Sequence, residues 1–184
     1  MSLKVITQPA TEPVTLTEAK LHLRVDGTTE DALISSLIVA ARQGAEHLTD
    51  RALMTQTLEL SLDGFPSVIK LPRPPLVSVT SVKYVDQAGA EQTLASEDYQ
   101  LDAVSEPARL MPAYGETWPT TRNQVNAVTI RYQAGYTTVP DQIKSWMLLR
   151  IGMLYANRES VATGISVEEV PYVDRLLDAY RVYA

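Results

Sequence analysis

The stretch from Asp31 to Arg51 constrains the fold of this chain more than any other. Leu33, Leu37, Ala41, Ala45 and Leu48 recur at helical spacing, and Ile34 and Ile38 widen the stripe, so the stretch reads as an amphipathic helix. At about 1.5 Å per residue, a helix of about 20 residues is roughly 30 Å long. Thr28 and Asp31 stand three apart ahead of it, in the spacing of a capping box, and Glu30 and Asp31 put negative charge at the positive end of the helix dipole. Burying each Leu or Ile contributes about 1.5–3 kcal/mol, and one helix cannot bury its own stripe, so other parts of the chain must supply the partners. Ala40, Ala41, Gly44 and Ala45 make the helix thin in one region, where a second helix can approach closely.

Around this helix the pattern changes twice. Residues 1–14, with Pro9 and Pro13, read as an extended arm. Thr15-Leu-Thr-Glu18 is a capping box opening a short helix over about 15–25, with Gly27 as its left-handed cap. The long helix spans about 28–50. Beyond it the period becomes two: Leu58, Leu60 and Leu62 alternate with polar residues as in a half-buried strand, and Asp63-Gly64 is a hairpin-type turn signal before a second strand at Val68–Leu71. Pro72, Pro74 and Pro75 impose an extended segment. Val77–Val85 is a strand whose alternation slips between Val79 and Val82, which predicts a bulge. Glu91–Leu94 can pair back across the turn Asp86–Gly89, and Tyr99–Leu101 and Arg109–Met111 are weaker strands. Asn126–Tyr132 is a strand with Val128, Ile130 and Tyr132 on one face.

Pro140-Asp141 then opens a helix over about 140–158 whose apolar residues, from Ile143 through Tyr155, cover nearly its whole circumference; such a helix is central or lies at a subunit interface. A last helix, about 170–183, carries Val173, Leu176, Leu177 and Tyr180 as its stripe. The fold class is therefore α+β: a helical bundle, residues 14–51 and 139–184, with an antiparallel β-rich segment of about 54–135 inserted into it, residues 52–138 in all, forming one domain.

Composition narrows the function. The chain of 184 residues is long enough for a sizeable core, and with 45% hydrophobic residues it is globular rather than disordered. Net charge is −6 and no Lys/Arg run occurs, which disfavours gripping of nucleic acid but is compatible with DNA sliding past an acidic wall. The absence of cysteine excludes thiol nucleophiles and thiolate metal sites. The N-terminus lacks the apolar core of a signal peptide and the most apolar run, Trp146–Ala156, is too short to span a bilayer, so folding in the cytoplasm without membrane contact is expected.

Catalytic signatures are lacking. His22 and His47 have no metal-type neighbours at ligand spacing, and no nucleophile elbow, Walker loop, dinucleotide loop or zinc-protease motif occurs. Neither catalytic residue, cofactor nor metal is assigned. The aromatic and arginine content of the last third is more informative, since Tyr, Trp and Arg are the residue types enriched at interface anchors.

The chain resembles the phage head–tail connector (adaptor) family, in particular its class with a β-rich insertion between helices, found in long-tailed phages, prophages and gene transfer agents. The resemblance rests on Leu16-Thr-Glu-Ala-Lys-x-His-Leu-Arg24, Ala41-Arg42 with Glu46, Thr49-Asp-Arg-Ala-Leu53, Gln56-Thr57, Phe65-Pro66, Leu71-Pro-Arg-Pro-Pro-Leu76 and Val79-x-Ser-Val-Lys-Tyr84. It continues through Trp118-Pro119, Tyr132-x-Ala-Gly135, Val139-Pro140 and Leu154-Tyr-Ala-Asn-Arg-Glu159. It implies a structural virion protein: a head-to-tail ring of about twelve copies in the virion neck, docked under the portal, extending the DNA channel and offering a platform to the next neck or tail-completion protein. By position, Arg175 to Ala184 would reach toward the portal. Candidate contacts between copies or with the portal are Arg42, Glu46, Arg51, Trp118, Arg150, Tyr155, Arg158, Arg175, Tyr180, Arg181 and Tyr183. Two alternatives stand beside this reading. One is another neck or tail subunit, a stopper or tail terminator. The other is a small hydrolase or sugar-binding module, which requires a cleft with convergent carboxylates and aromatics.

Overall fold

The computed structural model describes residues 1–157 and 173–183. They divide into two compact units, Met1–Ala10 with Thr55–Thr137, and Thr11–Met54 with Thr138–Ala184. The architecture is α+β, as the periodicities predict.

In the second, helical unit, α1 spans Leu16–Leu23, α2 Asp31–Thr49 and α3 Asp141–Ala156. The capping box of α1 forms: Glu18 N–H donates to Thr15 Oγ1 at 3.2 Å, and Thr15 N–H donates to Glu18 Oε2 at 2.7 Å. Two local expectations are corrected. Arg24, with φ 55°, takes the left-handed C-cap of α1 and its N–H donates to Leu21 O at 3.3 Å; Gly27 is left-handed too, at φ 86°, but lies three residues past the cap. Thr28 does not cap α2 with its side chain; its backbone carbonyl accepts from Asp31 N–H at 3.2 Å, and the N-cap is Glu30. The buried line of α2 runs through Ile34, Ile38, Ala41, Ala45 and Thr49, so Leu33, Leu37 and Leu48 flank the contact instead of centring it. The thin region does receive a helix: an added Cβ on Gly44 would lie 3.5 Å from Trp146 Cη2 of α3. That is ordinary van der Waals distance. Gly44→Ala is therefore expected to stabilise the protein by about 0.5–1 kcal/mol through helix propensity, read as a raised urea midpoint.

The C-terminal helix differs from expectation. Val173–Tyr180 is a 3-10 helix with Leu177 buried, not an α-helix; its expected start near Pro171 and the end of the preceding helix at Arg158 lie outside the described residues. The expected full burial of α3 is also corrected: Ile143, Trp146, Met147 and Ile151 are buried, but Leu149 is 45% exposed and Met153 is exposed as well.

In the first unit the expected N-terminal arm is a strand, β1 (Ser2–Thr7), so the inserted segment does not build its sheet alone. With β2 (Gln56–Leu62), β4 (Leu76–Val85), β5 (Glu91–Leu94) and β8 (Val128–Ala134) it forms an antiparallel sheet in the order β1-β2-β8-β4-β5. Leu58, Leu60, Val128, Ile130 and Tyr132 point to the buried face. The slip in β4 is real: its register against β8 shifts between Val79 and Ser81. A second sheet holds β3 (Ile69–Leu71), β7 (Ala108–Pro112) and β6 (Tyr99–Asp102), in that order. Asp63-Gly64 is thus not a hairpin between β2 and β3, which belong to different sheets; Asp63 Oδ1 instead accepts the Asn126 N–H at 2.9 Å.

Acid should loosen this structure in a defined way. The Thr15 backbone N–H, then its hydroxyl, holds the Glu18 carboxyl below the usual glutamate value. Asp86 is lowered chiefly by Gln92 and the Ala90 N–H, and Asp102 chiefly by Ser105. A carboxyl depressed by folding contributes stability above its unfolded value and loses it as pH falls through its folded value. The urea midpoint is expected to fall below about pH 4, with a shallower slope in Thr15→Ala, which itself costs about 1 kcal/mol at neutral pH.

Candidate assembly surfaces

The residues singled out on α2 face inward. Arg42 is 3% exposed and Glu46 7%. Arg42 Nη1 donates to Glu46 Oε2 at 2.8 Å, one helical turn on, and Arg42 Nε donates to Glu12 Oε2 at 2.7 Å. The other Glu46 oxygen accepts the Leu53 N–H at 3.0 Å. This network ties the strap before α1 and the loop after α2 to the helix between them. Glu12 carries no sequence signal of its own, because its partner lies 30 positions away.

Around the C-terminal end of α2 the chain's last segment is held by backbone and side-chain bonds. Arg51 Nε donates to the Tyr180 carbonyl, and Val182 N–H donates to the Thr49 carbonyl at 2.9 Å. Trp146 Nε1–H donates to Asp174 Oδ1 at 2.8 Å. Arg181 pairs with Asp178 at 3.2 Å, Tyr180 is half-buried, and Arg175 and Tyr183 are exposed. On α3, Arg150 is exposed between Leu149 and Met153, and the Tyr155 hydroxyl donates to Glu30. The helical unit thus presents an apolar flank punctuated by an arginine, Leu149-Arg150-Met153, and a C-terminal segment anchored at 173–182 with Tyr183 free of the core. Arg158 lies outside the described residues.

In the β unit, Trp118 stacks on Phe65 with ring centroids 4.7 Å apart and planes 11° apart, and Phe65 meets Tyr84 edge-on at 5.8 Å. Two motifs far apart in sequence, Phe65-Pro66 and Trp118-Pro119, so come together and tie the long 113–127 connection to the sheet. The hairpin joining β6 and β7 is ordered by Asp102, whose Oδ1 accepts the N–H groups of Val104 and Ser105, both at 3.0 Å. Val104 stands exposed at its tip. Burial pushes the Tyr99 hydroxyl above its ordinary value.

Among the described residues no group of three or more His, Cys, Asp and Glu could hold a metal ion, and no helix is long and apolar enough to cross a membrane. An open groove beside α1 is lined by Thr17, Lys20, Leu21, Arg24, Val25, Asp26 and Gly27. It brings one carboxylate, Asp26, near two cations, with Lys20 already donating to Asp31 at 2.6 Å.

A family model of the phage gp6-like head-tail connector protein matches residues 13–108. The chain belongs to this family. The matched region runs from the strap before α1, through the Glu12-neighbouring Pro13 and the Arg42–Glu46 helix, to the start of β7. Three solved structures share the connector's fold along its whole length at 24% identity, covering 100% of this chain and 97% of theirs. They are the neck of an empty gene transfer agent particle computed with C6 symmetry, TM-score 0.82, the virion of a native gene transfer agent particle, 0.81, and the neck of the native particle computed with C12 symmetry, 0.78. No curated protein matches the chain significantly.

Proposed function

We propose that this connector is the adaptor subunit of a virion neck: about twelve copies form a closed head-to-tail ring. The ring docks under the portal, extends the DNA channel and receives the next neck or tail-completion protein. The family match across residues 13–108 carries this reading. Physical features support it. Leu149, Arg150 and Met153 are exposed along one flank of α3, whose composition is that of an interface anchor. The net charge of −6 suits a wall past which a polyanion slides without sticking or sequence-specific binding. The protein acts by shape and contact rather than by transforming a substrate, in the neck of a virion, after folding in a bacterial cytoplasm.

The test is to mix the purified protein with its cognate portal and follow assembly by sedimentation and electron microscopy. A ring on the portal is expected, and Leu149→Asp with Met153→Asp should weaken it at least tenfold without lowering the monomer's urea midpoint. A protein that stays monomeric at high concentration and also fails to bind the portal would overturn the proposal.

A further inference from the structure

Among the described residues the five-stranded sheet has two open edges, and their chemistry matches. β1 pairs with β2 along one side only, and β5 with β4 along one side only. Edge strands of monomers are usually blunted by charge, proline or brevity. β1 carries Lys4 but also leaves apolar side chains uncovered: Val5 is 46% exposed and Ile6 43%. Its register breaks between Val5 and Thr7, so the regular part is Ser2–Val5, the same length as β5, Glu91–Leu94.

The faces also agree. On β1, Leu3 and Val5 stand opposite Leu60 and Leu58, on the buried face of the sheet; on β5, Leu94 stands opposite Val82 on that same face. On the polar face, Lys4 lies opposite Glu59 of β2, while Glu91 of β5, well exposed, pairs with Lys83 at 2.7 Å. An edge-to-edge join of the two four-residue stretches in parallel would set Val5 beside Leu94 and Leu3 beside Gln92 on one face, and on the other the Lys4 ammonium beside Thr93, with the Glu91 carboxylate on the diagonal. Direction selects between symmetries. Five strands in unbroken antiparallel order make β1 and β5 run the same way. A rotation that repeats the sheet around a ring therefore sets β5 of one copy beside β1 of the next as a parallel pair, whereas a two-fold axis would set β1 against β1.

We infer that β1 of one copy adds to the β5 edge of a second copy, so that the sheets join into a continuous band around the ring. This rests on the ring reading above, and names the element that closes it.

The chain has no cysteine, so introduced thiols report cleanly. Lys4, Ser2 and Thr93 are exposed on the polar face, away from the core. The variants Lys4→Cys with Thr93→Cys, and Ser2→Cys with Thr93→Cys, are assembled on the portal, oxidised and run without reductant. A ladder of covalent multimers reaching the full ring is expected from at least one pair, and no ladder from any single variant. Covalent dimers from Lys4→Cys or Ser2→Cys alone would show two-fold β1 pairing and overturn the inference. Rings visible by microscopy that yield no ladder from either pair would overturn it while leaving the adaptor reading in place. Absence of any ring, with or without portal, would remove both.

Discussion

Replacing Arg42 with alanine is expected to destabilise the protein by about 3–5 kcal/mol, because the two hydrogen bonds of a buried guanidinium to carboxylates are lost, each contributing about 1.5–3 kcal/mol. Glu46 is 7% exposed and would keep its bond to the Leu53 N–H while losing the guanidinium at 2.8 Å. Glu12, at the edge of the network, can turn to water, whereas Glu46 is buried. Set against a total stability of about 5–15 kcal/mol, the loss is large. At about 2–4 °C per kcal/mol it lowers the melting midpoint by roughly 10 °C. The double variant Arg42→Met with Glu46→Gln should recover most of it. Both buried charges of the pair are removed together, and the glutamine oxygen still accepts from the Leu53 N–H. Urea unfolding at neutral pH reads both, and a loss under about 1 kcal/mol in the alanine variant would mean that the network holds less than its burial implies.

Trp146→Ala is expected to cost about as much, roughly 3–5 kcal/mol, for a different reason. The indole is 2% exposed and fills the space beside Gly44, so truncation opens a cavity between α2 and α3. It also removes the bond from Nε1–H to Asp174, one of the links holding the C-terminal segment. Trp146→Phe keeps most of the packing and loses the bond to the carboxylate, about 1.5–3 kcal/mol. Both variants should speed tryptic cleavage after Arg175 and Arg181, read by mass spectrometry. The alanine variant should lose more stability than the phenylalanine variant; equal losses would show that the polar link outweighs the packing. The experiment bears on assembly, because the segment it loosens is the one that the adaptor reading sends toward the portal.

The two networks mark where local pattern stops informing. Arg42 and Glu46 are one helical turn apart and read as an exposed ion pair or an interface pair equally well. Only the arrival of Glu12 and the Leu53 N–H, from outside the helix, makes them internal. Trp118 reads from the sequence as a contact residue, and the fold gives it Phe65 as a stacking partner from 53 positions away. Arg51 likewise meets the Tyr180 carbonyl across 129 positions. The outward-facing residues, Arg150, Arg175 and Tyr183, have the same composition as the inward-facing ones, so residue type alone does not separate them.

What the amino-acid order determined by itself has a short period, although not every short-period signal holds: the Thr28 box and the Gly27 cap do not form. The Thr15–Glu18 cap, the alternation of Leu58, Leu60 and Leu62, the face shared by Val128, Ile130 and Tyr132, the bulge in β4 and the helix opened by Pro140 all depend on residues within one or two turns or a few strand positions of each other. The tertiary structure alone decided that residues 2–7 join the sheet as β1, that β3 leaves β2 for β7, and that the C-terminal stripe winds as a 3-10 helix. A period of two says which face of a strand is buried but not which strand lies beside it. The choice of neighbour is made by contacts across tens of residues, whose free energy exists only once the chain has closed the loops between them.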